Sequence, residues 1–125
     1  MDINRLTEKA QEALRTAQSE ATRLGHQQID VEHLLLALLE QEGGLARSIF
    51  EKTAVDSDLV RRRIEEALAR LPKVSSDTGG PGEVYVTARL NRLLVQAEDE
   101  AKQLKDEYVS VEHLLLAMVE DKSGA

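Results

Sequence analysis

Apolar residues recur every three or four positions along most of this chain, which is the spacing of amphipathic helices. Thr7 precedes the first such stripe and predicts an N-cap, because its hydroxyl can accept a bond from an orphan backbone N–H. Gly25 follows the stripe and supplies the left-handed residue that often ends a helix. The pattern therefore predicts a helix between these two residues, with the following positions facing inward: Ala10, Ala13, Leu14, Ala17, Ala21 and Leu24.

The next segment, residues 31–40, reads VEHLLLALLE and is apolar on nearly every side. Asp30 predicts its N-cap, and Glu32 lies in the first turn, where the helix dipole favours negative charge. Leucine and alanine are poor strand formers, so the segment favours a helix over a buried strand. A helix that is apolar all round is expected at the centre of a bundle.

Two more helices are predicted before the pattern breaks. One spans about residues 45–52, and the other begins at Asp56 or Ser57 and ends before Pro72. The second of these helices is expected to turn five apolar residues inward: Leu59, Ile64, Ala67, Leu68 and Leu71.

The chain also repeats itself: residues 6–40 align with residues 86–120 without a gap when the sequence is shifted by 80 positions. The phrase VEHLLLA recurs in this alignment, and many of the matching positions are apolar positions at helical spacing. The fold is therefore predicted to be all-α and to contain two copies of one helical unit. Repeat one is assigned to residues 6–72, a linker rich in Ser, Gly and Pro to 73–85, and a partial repeat two to 86–125.

The second repeat stops where its third helix would begin, so we expect the chain to be a fragment. Apolar side chains from the set Leu114, Leu116 and Val119 are then expected to lack cover. This predicts self-association that increases with protein concentration.

Composition narrows the possible functions. The chain has 125 residues, no cysteine, 16 Lys and Arg against 23 Asp and Glu, and a net charge of −7. Its length predicts one domain, and its acidic surface repels phosphate backbones. Phe50, Tyr85 and Tyr108 are the only aromatic residues, too few for base stacking, so no nucleic-acid partner is predicted. No targeting or membrane-spanning segment is visible, which predicts a cytoplasmic protein without a membrane partner.

Catalytic motifs are absent from the sequence. There is no GxxxxGK[ST] loop, no cysteine nucleophile and no HExxH, so the chain is predicted not to be an enzyme. The repeated residues His33 and His113 allow a functional interpretation, in which they join Glu32 and Glu112 in a metal or acid/base site. The structural interpretation is favoured: each ring lies three residues after a helix cap, where one nitrogen can bond a loop carbonyl or the opposing helix. No metal site is therefore predicted, and a hydrolase built on Glu32 and His33 ranks last.

Four segments in order resemble the N-terminal domain of Clp-type AAA+ chaperones: NRLTEKA at 4–10, DVEHLL at 30–35, ALARLPKV at 67–74 and DEYVSVEH at 106–113. The linker and the entry to the second repeat, Tyr85-Val86-Thr87, are most similar to the ClpB disaggregase branch. The resemblance implies two four-helix repeats about a pseudo-twofold axis, with the second repeat truncated here after its second helix.

The resemblance also implies a function. Such domains are tethered at the entrance of a hexameric ATPase ring, where they contact unfolded or aggregated polypeptides and assist their delivery to the ring. The implied role is non-catalytic substrate binding and regulation, with ATP and Mg²⁺ bound only by AAA+ modules outside this chain. Those modules and a co-chaperone or adaptor are the other implied partners. The alternative is the adaptor-docking N-domain of a Clp protease unfoldase such as ClpC or ClpA.

The polypeptide-binding residues are carried over by motif. Thr7 matches the polar position of the opening phrase, and Asp106 and Glu112 match those around the second copy of VEH. Three leucines are expected to form the apolar floor of the groove: Leu90, Leu93 and Leu94. Structural alternatives remain open, with Thr7 as a cap, Glu112 as a dipole partner and the leucines as core.

Overall fold

The computed structural model describes residues 3–41, 45–52, 56–71 and 85–120. These residues form a 3-10 turn at Ile3–Arg5, helices α1 (Glu8–Arg23), α2 (Val31–Glu40), α3 (Leu45–Lys52), α4 (Ser57–Ala69), α5 (Ala88–Gln103) and α6 (Val111–Glu120), and short strands β1 (Gln28–Ile29) and β2 (Tyr85–Val86). The all-α prediction is confirmed. The predicted linker lies outside the described residues except for Tyr85. None of the described helices has the length and apolarity needed to cross a membrane.

The two repeats begin and end their first helices in the same way. Thr7 caps α1 by accepting a bond from the Ala10 N–H at 3.3 Å, and Thr87 caps α5 by accepting from the Leu90 N–H at 3.0 Å. After α1 the chain turns at Gly25, whose φ is 76°, as predicted. The corresponding residue after α5 is Lys105, whose φ is 60°. A lysine thus occupies a left-handed position that favours glycine.

Helix α2 lies at the centre of the first repeat, as its composition predicted, and packs against α1, α3 and α4. From α4, Ile64 and Leu68 are buried and Val60 packs partly against the same core. The prediction that Leu59 faces inward is wrong, because this side chain is exposed. Val60 is four residues before Ile64 and continues the apolar stripe, whereas Leu59 lies about 100° away around the helix.

The repeats interlock at their entry segments. Strand β1, between α1 and α2, pairs in parallel with β2 at the entry to α5, so that Gln28 lies opposite Tyr85. The equivalent pairing in the other half joins Leu6, before α1, to Val109, before α6. The two pairings are related by the offset of 80 residues, which is the pseudo-twofold relationship expected of the fold.

The second repeat differs from the first in how its second helix is covered. Leu39 of α2 is 3% exposed, whereas its counterpart Val119 of α6 is 83% exposed. Leu116 is also exposed, as expected, but the expectation is wrong for Leu114, which belongs to the core just as its counterpart Leu34 does. The difference arises because α4 packs on α2, and no helix among the described residues takes the equivalent place on α6.

Candidate functional site

The three polar residues expected at the binding site meet around the loop between α5 and α6. Thr7 donates its backbone N–H to the Val109 carbonyl at 3.0 Å, which fixes the start of α1 against this loop. Asp106 lies in the loop with half of its side chain exposed, and Glu112 lies exposed in the first turn of α6. We call residues 104–112 together with Thr7 the α5–α6 loop surface.

This surface also contains two apolar residues that the sequence analysis missed. Leu104 is 60% exposed and Tyr108 is 50% exposed. Tyr108 lies outside the helices, where no periodic pattern marks it, and Leu104 aligns with Leu24, which the helical pattern predicts to face inward. The clue in the sequence is that they flank three consecutive charged residues, 105–107, in a segment that has no room to bury them.

The three leucines expected to form an apolar floor are buried. Leu90 and Leu94 belong to the core, and Leu93 lines a groove of about 580 Å³ between α5 and α6. The other residues that line the groove are Arg89, Arg92, Gln96, Ala117, Val119 and Glu120. Glu120 is eight residues beyond Glu112, about 12 Å along the helix. The structure therefore does not bring the leucine groove and the polar residues into one place.

Glu120, which lines the groove, is paired with the carboxyl group of Glu100. Gln96 Nε2 donates to Glu100 at 2.9 Å and to Glu120 at 3.2 Å. A hydrogen bond with Glu100 raises the pKa of Glu120, burial and the charge of Glu100 act in the same direction, and Gln96 opposes them. Two carboxylates do not form a metal site, and no group of three or more His, Cys, Asp or Glu side chains suited to a metal occurs in the described part of the chain.

The histidines of the repeated phrase act as caps of the helices that contain them. His33 Nδ1 accepts the Asp30 backbone N–H at 2.9 Å, and the His33 backbone N–H donates in return to the Asp30 side chain, which makes a capping box. Val31 also donates its N–H to Asp30 Oδ1 at 2.7 Å. In the second repeat His113 Nδ1 accepts the Ser110 backbone N–H at 2.8 Å. Both rings thus make capping contacts within the fold, and each accepts from a backbone N–H where a bond to a loop carbonyl or the opposing helix was expected.

The second nitrogen of each ring has a different partner in the two halves. His33 Nε2 lies 2.8 Å from Nδ1 of the buried His26, whereas His113 Nε2 lies 2.9 Å from Oδ2 of Asp106. Burial lowers the pKa of His33, and the neighbouring His26 lowers it further, against the raising effect of Asp30 and Glu32.

Ser110, His113 and Asp106 have the composition of a catalytic triad but not its chemistry. The Ser110 hydroxyl lies 3.0 Å from His113 Nδ1, but the Ser110 backbone N–H already donates to the same nitrogen at 2.8 Å. A general base needs a free lone pair to take the hydroxyl proton, and here that lone pair holds the helix cap. The arrangement orients groups and does not activate a nucleophile.

An arginine at the start of the second repeat lies beside two carboxylates at the start of α2 in the first repeat. Arg89 Nη1 in the first turn of α5 lies 2.7 Å from Glu32 Oε1 and 3.7 Å from Asp30 Oδ1. Thr87 donates its hydroxyl to the same Asp30 oxygen at 3.1 Å. In the other half Lys9 occupies the place of Arg89 and lies 3.9 Å from Glu12. Within the described residues, no cation forms an ion pair with Glu112.

Comparison with known proteins identifies the family. Residues 5–125 match the family described as Clp repeat (R) N-terminal domain. This chain belongs to the Clp N-terminal domain family. Over 122 residues it is 47% identical to the chaperone protein ClpB of Bacillus cereus, a match that covers 98% of this chain and 14% of ClpB. The Clp N-domain described here therefore spans about one seventh of the length of that relative.

Solved structures confirm the fold of this Clp N-domain. The Hsp104 N-terminal domain from Candida albicans matches with a TM-score of 0.82 and 23% identity, over 94% of this chain and 75% of that chain. A ClpV N-domain in complex with a VipB peptide matches with a TM-score of 0.81 and 21% identity, over 94% of this chain and 69% of that chain.

Proposed function

We propose that this Clp N-domain is the non-catalytic client-binding domain of a ClpB-like AAA+ disaggregase. Exposed segments of unfolded or aggregated polypeptides would bind at the α5–α6 loop surface and pass from there to the hexameric ATPase. One observation carries the proposal: residues 104–112, which Thr7 bonds at Val109, contain two exposed carboxylates, Asp106 and Glu112, and two exposed apolar side chains, Leu104 and Tyr108.

The chemistry of this surface suits a client without a fixed sequence. Apolar contacts are non-directional, so Leu104 and Tyr108 can accept many different side chains. The carboxylates add attraction for basic segments and increase the rate of encounter. A client long enough to continue beyond the loop surface would reach the separate groove that Leu93 lines, whereas Leu90 and Leu94 would support that groove from within the core.

The first repeat supplies an internal example of the contact proposed for Glu112. Its counterpart Glu32 binds the guanidinium of Arg89 at 2.7 Å, and the local backbone is the same because both glutamates lie in the first turn of a helix with a capping histidine. A client arginine or lysine at Glu112 would make the same charge-assisted bond. The ClpV N-domain, which shares this fold, provides a precedent for peptide binding.

Affinity for a single segment should be weak, because a disordered client loses conformational entropy when it binds. Six N-domains on one hexameric ring would compensate through avidity. Weak individual contacts also allow the client to leave the domain and move to the ATPase ring.

Binding of a fluorescent, disordered peptide with Arg, Leu and Tyr side chains tests the proposal by anisotropy. We expect Asp106→Asn and Glu112→Gln each to raise the Kd about two- to fivefold, the range for exposed charge contacts, and added salt to reduce the difference. Glu32→Gln is the matched control, since Arg89 already occupies Glu32, and it should leave the Kd unchanged.

Two apolar substitutions extend the test. Leu104→Ser should weaken binding, whereas Val95→Ser, at an exposed apolar position within α5 and away from the loop, should not. Equal effects of Glu112→Gln and Glu32→Gln would contradict the proposed surface. Tight one-to-one binding of a folded adaptor, together with no binding of the disordered peptide, would favour the adaptor-docking function instead.

A further inference from the structure

The ring of His113 is buried and held in one orientation. Its Nδ1 accepts the Ser110 backbone N–H at 2.8 Å, and a backbone N–H can only donate. A neutral ring must therefore carry its proton on Nε2, which lies 2.9 Å from Asp106 Oδ2 and donates to it. The helix cap thus determines the tautomer, and the tautomer determines the bond to the carboxylate.

The first repeat contains the same capping bond, but the second nitrogen of its ring bonds a histidine and not a carboxylate. His33 accepts the Asp30 N–H at 2.9 Å and reaches His26 Nδ1 at 2.8 Å, and both rings are buried. In the alignment of the repeats, His26 corresponds to Asp106. In the first repeat the bonds from the cap through His33 end on the buried His26. In the second repeat the bonds through His113 end on Asp106, whose side chain is 50% exposed.

An exposed aspartate would ordinarily move between rotamers, and ordering such a side chain on binding weakens affinity by roughly two- to tenfold. The bond from His113 uses Oδ2 of Asp106 and removes much of that freedom before a partner arrives. No described residue makes a hydrogen bond or ion pair to Oδ1, so this oxygen is left for a client.

We infer that His113 is a positioning residue for client binding, which fixes the Asp106 carboxylate through Nε2 and is itself fixed by the cap at Ser110. This inference rests on the proposed function, in which the Asp106 carboxylate binds a client. It also gives a role to the aspartate at position 106, where the first repeat has His26. The ring of His33 bonds a buried histidine, whereas the ring of His113 bonds an exposed carboxylate.

The test compares His113→Gln with His33→Gln in the full 125-residue chain. Glutamine three residues after a cap can still accept the capping N–H, so both variants keep a capping group. Each loses one buried imidazole, but only His113→Gln releases Asp106. With the disordered peptide described above, we expect His113→Gln to raise the Kd about two- to fivefold, no more than Asp106→Asn does, and His33→Gln to leave it unchanged.

A double-mutant cycle separates positioning from a general structural effect. In an Asp106→Asn background, His113→Gln should cause little further loss, because the positioned carboxylate is already gone. Equal loss of binding in His113→Gln and His33→Gln, or an undiminished effect of His113→Gln in the Asp106→Asn background, would overturn the inference. If Asp106→Asn alone leaves the Kd unchanged, the proposed function fails at this residue; if it weakens binding while His113→Gln does not, only the positioning role fails.

One measurement on the unmodified chain does not depend on how the variants fold. The ¹⁵N shifts of the His113 ring should report a proton on Nε2 and none on Nδ1 at neutral pH. A neutral ring with its proton on Nδ1 could neither accept the Ser110 N–H nor donate to Asp106, and would overturn the inference.

Discussion

Arg89 in the first turn of α5 donates to Glu32 in the first turn of α2 at 2.7 Å and so joins the second repeat to the first. Both side chains are largely buried. Together with the short parallel pairings before α1 and α5, this ion pair holds two similar halves in one relative orientation.

Removal of this ion pair should destabilise the domain modestly. Arg89→Ala is expected to lower the free energy of unfolding by about 1 kcal/mol, because the pair is partly screened by solvent but also contacts Asp30. Urea denaturation of Arg89→Ala, Glu32→Ala and the double variant gives their coupling energy. The exposed Arg92→Ala is the control for loss of charge on the same helix, and a coupling energy near zero would show that the pair does not contribute.

The two threonine caps should differ in their contribution to stability. Thr7→Ala should cost about 1 kcal/mol, the usual value for loss of an N-cap. Thr87→Ala should cost about 2 kcal/mol, because Thr87 also donates to Asp30 at 3.1 Å. Thermal unfolding of both variants measures the difference, and Thr→Ser at each position should restore most of the loss. Equal costs would show that the bond to Asp30 is energetically neutral.

Lys105→Gly should stabilise the domain, whereas glycine substitution elsewhere on α5 should not. Lys105 has φ of 60°, a region that costs a non-glycine residue about 1–2 kcal/mol. Greater freedom of glycine in the unfolded chain offsets part of this gain, so we expect a net increase of about 0.5–1 kcal/mol. Lys102→Gly, inside the helix, should instead cost about 1 kcal/mol. Loss of stability in Lys105→Gly would contradict this prediction.

Acidification should weaken the fold through His33. Because burial and the neighbouring His26 lower the pKa of His33, the folded state binds this proton less readily than the unfolded state. The stabilising contribution is complete above the unfolded pKa near 6.5 and is lost as the pH falls through and below it. Urea denaturation at several pH values should show this slope, and His33→Gln should reduce it. A slope unchanged by the substitution would assign the pH dependence to other groups.

Much of the fold was predictable because caps and apolar spacing are local signals. Thr7, Asp30 and Asp56 marked helix starts that the structure confirms. The prediction for Leu59 was wrong because it relied on the apolar side chain alone. Val60 and Ile64 set the face of α4 that packs on the core, and Leu59 lies outside that face.

The candidate site was less predictable, because its contacts join residues far apart in the sequence. The pairing of Leu6 with Val109 involves one residue on each side, too short for any periodic pattern. The different partners of His33 and His113 depend on His26 and Asp106, seven residues away in a loop. The resemblance pointed to Asp106 and Glu112 as candidates, whereas the exposure of Leu104 and Tyr108 depends on how the loop packs.

Client binding is tested most directly by NMR titration of the ¹⁵N-labelled domain with the disordered peptide. We predict concentration-dependent shifts at Thr7, Leu104, Asp106, Tyr108 and Glu112, with smaller or no shifts around Glu32 in the first repeat. Shifts absent from the α5–α6 loop surface, or equal in size at Glu32 and Glu112, would contradict the proposal that this surface binds unfolded polypeptide.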